Sequence, residues 1–195
     1  MTKKLSIALV GTVALAAGLL NAAPAQADTC PEDTACETTT TFDVTAGDLE
    51  ITVPDTADLA NDGTPGGYAY GSLGAVTVTD ARASLTPTWT VTVAGADFTT
   101  GGATAPETIS TGDIYYFSGN ATTTEGDGTF TPGQPGVFAP PPPAAGTTID
   151  GTPTAFSHTG GSGNNSATWE PSLTAEIGLS KVAGTYTGTI SHTVA

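Results

Sequence analysis

What most limits the folds open to this chain is a two-residue alternation of apolar side chains with threonine. Trp89-Thr90-Val91-Thr92-Val93 puts Trp89, Val91 and Val93 on one side of an extended backbone and the threonines on the other. Leu49-Glu50-Ile51-Thr52-Val53, closed by Pro54, and Ala75-Val76-Thr77-Val78-Thr79 repeat the pattern. The stretch from Tyr186 to Val194 sets Tyr186, Gly188, Ile190, His192 and Val194 against Thr187, Thr189, Ser191 and Thr193. A period of two belongs to half-buried strands. Ile114–Phe117, Thr154–Ser157 and Leu173–Leu179 read as further strands, and residues 119–136 as a Gly/Thr-rich loop. Threonine supplies 39 of 195 residues, with 25 Gly and 14 Pro concentrated in turn signals such as Asn61-Asp62-Gly63. Beyond residue 27 no long window carries the apolar stripe and caps of a helix. The expectation is an all-β chain, a Greek-key-like β-sandwich of about seven to nine antiparallel strands.

The first 27 residues read as an export signal. Lys3 and Lys4 open it, an apolar run follows from Leu5 to Leu20, and Ala25-Gln26-Ala27 matches the small-x-small pattern cut by signal peptidase. The run is shorter than the ~20 residues of a spanning helix, and no cysteine directly follows the cut to take a lipid. A secreted, extracellular product of residues 28–195 is expected, without stable membrane insertion after cleavage. Residues 28–46 are acidic and polar and read as a flexible lead-in, with 47–195 as the folded domain. Cys30 and Cys36 would meet oxidising conditions and are expected to form a local disulfide. A metal pair there would need further Cys or His ligands nearby.

Charge excludes two classes of partner. Four Lys+Arg face 19 Asp+Glu, a net charge of −15, and loss of Lys3 and Lys4 would leave only Arg82 and Lys181. Nothing in such a chain neutralises phosphates, so nucleic acid is excluded, and anionic lipid attracts polybasic segments that are absent here.

No motif points to catalysis. Gly160-Gly161-Ser162-Gly163-Asn164 misses the nucleophile elbow at its fifth position, and neither a His-Glu-x-x-His nor a nucleotide fingerprint occurs. The reading is a non-enzyme without cofactor. His158 and His192 lack ligand spacing, and Glu125-Gly126-Asp127-Gly128 lacks the alternating ligand series of a calcium loop, so no metal is expected. Asp80 and Arg82 share a strand face and are expected to form a structural ion pair, one arginine among so many acids being a poor trap for an anionic polymer. Trp89 turned inward is a core aromatic; turned outward it is a platform for a sugar ring. Trp169, between a Gly/Asn-rich stretch and Pro171, is expected near an edge of the fold.

Taken in order, several segments resemble the WxL-like domain of secreted cell-surface proteins of Gram-positive bacteria, in its actinobacterial form. They are Leu49 to Pro54, Leu73 to Arg82 with its Val-Thr-Asp-x-Arg end, Trp89 to Val93, Asp97-Phe98, and Ala183 to Val194. Two Trp-x-Leu motifs name the family. The first is Trp89-Thr90-Val91 here, with Val for Leu; the second keeps the upstream Tyr186 and reads His192-Thr193-Val194, without its Trp. The resemblance implies non-covalent attachment to the cell wall, with peptidoglycan or another envelope glycan as partner. Trp89, Val91, Tyr186, His192 and Val194 are the binding residues it would carry over. The alternative is a structural or adhesive subunit assembling with itself or with other surface proteins, since exposed strand edges accept further strands.

Overall fold

The computed structural model describes residues 29–139 and 146–195. The signal reading at 1–27 and the Pro140–Pro143 stretch lie outside them. The chain divides into two units, Met1–Asp43 and Val44–Ala195. In the described part of the first, Cys30 and Cys36 are joined by a disulfide and the Thr34 N–H donates to Pro31 O at 3.1 Å.

The second unit is a β-sandwich-like fold whose described strands pair antiparallel throughout. One sheet has the order β1-β3-β12-β8, from Leu49–Thr52, Val76–Ser84, Gly163–Trp169 and Ala121–Glu125. The sheet facing it has the order β14-β4-β11-β9, from Ile190–Val194, Thr88–Gly95, Thr154–Thr159 and Thr129–Pro132. A third, β10-β7-β13-β2, is built from Thr147–Thr148, Ile114–Phe117, Ser172–Glu176 and Tyr68–Ser72. A two-stranded pair, β5 (Phe98–Thr99) with β6 (Thr108–Ile109), completes it. Long crossings bring distant segments together, for example Asp80 opposite Asn165.

Alternation decides what the strands bury. Val76 and Val78 of β3, Trp89, Val91 and Val93 of β4, and Ala167 and Trp169 of β12 all enter one core with Phe156, Tyr116 and Leu173. At about 25 cal/mol per Å² of apolar surface removed from water, these faces dominate stability. Two expectations are corrected. Residues 119–136 are not simply loop, since β8 and β9 pair there with β12 and β11. Trp169 is fully buried rather than near an edge. It ends β12, an interior strand flanked by β3 and β8, and its ring stacks on Phe156 with centroids 4.8 Å apart.

Candidate functional site

The two motif segments form one unit, because β4 and β14 are hydrogen-bonded neighbours with His192 opposite Val93 and Val194 opposite Val91. Their inward side chains are structural. Trp89 is 2% exposed, and its indole N–H donates to Asn165 Oδ1 at 2.8 Å. Its ring stacks on His158 (5.7 Å, 22°) and leans on Phe130. Val91 is fully buried, and Val194 packs against the same core. Of the two readings of Trp89, the sugar platform is therefore not open to it.

His158 is itself fully buried. Its Nε2 donates to Asp127 O at 3.0 Å, the carbonyl fixing the proton on that nitrogen. The Glu125–Gly128 turn presents that carbonyl, and a side chain at Gly128 (φ +115°) would collide with the imidazole. His158 Nδ1 and Asn165 Nδ2 are buried without hydrogen-bond partners among the described residues.

Arg82 grips Asp80 through Nε and Nη2 at 2.8 Å each, and its Nη2 also donates to Thr88 O. The Asp80 carboxyl is fully buried while the Arg82 side chain is 38% exposed. These hydrogen bonds hold Asp80 below the usual carboxylate range against the opposing effect of burial. The guanidinium is thus committed within the fold.

Tyr186 is also engaged: its hydroxyl lies 2.8 Å from Val182 O and 3.1 Å from Pro106 O. His192 differs from the other carried-over residues in bordering a cavity. Its Nε2 accepts from the Tyr116 hydroxyl at 3.0 Å, which in turn accepts from Trp169 Nε1 at 3.1 Å. Burial lowers His192 to about 4 and raises the Tyr116 phenol, so both are neutral near pH 7. The cavity, of about 360 Å³, lies beside β1 and β14. Core side chains including Val76 and Leu173 floor it, Phe98 and Ile190 wall it, and Asp55 and Asp58 border it. No motif in the sequence marks the loop 53–59 that supplies one wall.

The outer face of the β14-β4-β11-β9 sheet was not singled out by the sequence. Period two turns Thr88, Thr90 and Thr92 away from Trp89, Val91 and Val93. Register then aligns them with hydroxyls from strands remote in sequence. One row runs Thr88–Thr159–Thr129, the next Thr90–Ser157–Thr131, and Thr92 lies between Thr193 and Thr154. None of the residues in these four strands is charged. Among the described residues no three of His, Cys, Asp and Glu gather as metal ligands would. Compared with family models and with curated proteins, the chain matches none.

Proposed function

We propose that this is an exported, non-catalytic protein of the bacterial cell surface, held non-covalently on the cell wall with peptidoglycan as its partner, in the manner of the WxL-like domains it resembles. The observation that carries the reading is the pairing of β4 with β14, which joins the two motif-bearing segments into one sheet. With Trp89 and Val91 inside the core, wall contact is assigned to surfaces that this pairing supports rather than to the motif side chains. The test is cosedimentation of residues 28–195 with purified, protein-free peptidoglycan. Retention is expected; recovery only in the supernatant across pH and salt would end the proposal.

A second reading, a subunit that assembles with itself or a larger envelope protein, is favoured by the cavity beside β1 and β14. Among the described residues both are edge strands with a neighbour on one side only, and an added strand would pair with either while placing a side chain in the cavity. Light scattering on the purified protein separates the cases, a strict monomer at high concentration counting against self-assembly.

A further inference from the structure

We propose that the outer face of the β14-β4-β11-β9 sheet is a glycan-binding surface, taking an uncharged, polyhydroxylated sugar backbone laid across its hydroxyl rows. The inference rests on the wall reading above and names the part of the wall that is touched: the sugar strand, not the charged groups borne on it.

Three observations carry it. First, charge is missing where it would ordinarily be placed. The outer face of a half-buried sheet is where charged residues usually alternate with the core set, and this chain holds 19 acidic residues. None falls on these strands. A polyanion finds no cation there and a cation no carboxylate, while an apolar partner would strip water from hydroxyls that it cannot satisfy. A neutral polyol can both donate to and accept from Thr and Ser.

Second, the hydroxyls are uncommitted. Thr88, Thr90, Thr129, Thr131 and Thr159 are exposed and make no side-chain hydrogen bond among the described residues. Ser157 reaches only Thr131 O, at 3.5 Å. Third, the array is regular and stiff. Hydroxyl-bearing residues recur roughly every 4.8 Å across the strands and roughly every 6.8 Å along them, and Trp89, Val91 and Phe156 back them from the core. A repeating ligand meets a repeating surface whose order is already set by folding, so little further ordering is needed on binding. Water can fill mismatches without weakening such an interface much.

The experiment uses the purified, full exported chain, cosedimented with peptidoglycan and, separately, with chitin, an insoluble uncharged polymer of N-acetylglucosamine. Each is run at low and high salt. Two double variants accompany the parent: Thr90→Asp with Thr131→Asp, and Thr90→Val with Thr131→Val. The second pair keeps the β-branched shape, and melting curves report folding of both.

The parent should bind both polymers with little salt dependence, since no charged contact is screened. The Asp pair should bind roughly tenfold more weakly or worse, and the Val pair measurably more weakly while melting like the parent. Parent-like retention of both pairs on peptidoglycan would overturn the face and leave the wall reading standing. So would loss of parental binding in high salt, which would place the contact on charged groups elsewhere. Binding to chitin but not to peptidoglycan, sensitive to the Asp pair, would keep the face and end the wall reading. Retention on neither polymer would end both.

Discussion

The two facing sheets are made from similar Thr-rich strands and use their alternation in opposite ways. In β1-β3-β12-β8 the inner face holds the Asp80–Arg82 pair and Asn165, and the outer face carries Glu50 and Glu125. Three of its hydroxyls are tied down: Thr77 and Thr168 lie 2.9 Å apart across strands, and Thr122 donates to Thr168 O. In β14-β4-β11-β9 the polar and aromatic arrangement is reversed. Its inner face stacks Trp89, His158 and Phe130, while the outer hydroxyls of Thr88, Thr90, Thr129, Thr131 and Thr159 face solvent without side-chain partners among the described residues. Threonine thus does two jobs. In one sheet it helps hold the strands together; in the other it is left on display.

The largest test of this contrast removes the aromatic anchor. Trp89→Ala should cost about 3–5 kcal/mol, because the cavity left against His158 and Phe130 cannot fully collapse. Urea unfolding should show a lowered midpoint with an unchanged slope; a parental midpoint would mean that the stack contributes nothing.

Acid is the next lever, acting at the edge strand β14. Burial holds folded His192 at about 4, whereas an open chain titrates near 6.5. The unfolded state therefore takes the proton first. Stability on this account is fully present above about pH 6.5, falls as the pH drops toward 4, and then levels, for a total of about 3 kcal/mol. His192→Gln should remove that part of the slope, which urea midpoints of parent and variant at pH 7 and pH 4 would reveal.

In the opposite sheet, Arg82→Met should cost about 1–3 kcal/mol at pH 7. It strands a buried carboxylate, although the half-exposed guanidinium makes the loss smaller than for a fully buried pair. The cost should fade as the pH falls, because without the guanidinium burial raises the Asp80 carboxyl and it protonates more readily than in the parent. The smallest effects test the comparison most directly. Thr77→Val should cost about 1 kcal/mol, since Thr168 loses its partner. Thr90→Val should stay within about 0.5 kcal/mol of the parent. Equal costs would erase the distinction between tied and displayed hydroxyls.

Alternation made β1, β3 and β4 legible, because each sets an apolar series against a polar one, and β7 was legible as a short aromatic run, Ile-Tyr-Tyr-Phe. β12 was hidden by its composition: Gly163, Asn164 and Asn165 signal a loop, yet Asn165 turns inward to accept the Trp89 N–H. β8, Ala-Thr-Thr-Thr-Glu, is an edge strand that buries little, so no apolar period marks it. β2 was masked by Gly71, where any Cβ would lie 2.7 Å from the Ala60 nitrogen. The Thr-x-Thr spacing of β4 and β9 could be read locally. That Thr90, Ser157 and Thr131 form a row follows only from register between strands remote in sequence. The cavity was illegible for the same reason, its wall at Asp55–Leu59 meeting residues more than 100 positions away.

The phenolic oxygen of Tyr116 is where the three large sheets meet. Tyr116 belongs to β7, Trp169 to β12 and His192 to β14, and each strand lies in a different sheet. Withdrawing Tyr116 leaves both Trp169 and His192 short of a partner, and loosening either of those leaves the Tyr116 hydroxyl one partner short, so opening of any one strand at this point is felt in a second sheet. The arrangement couples the sheets into one cooperative unit. Protection from amide exchange in β7, β12 and β14 should then be lost in a single event, with fraying confined to strands such as β8 and β9 that do not reach this oxygen.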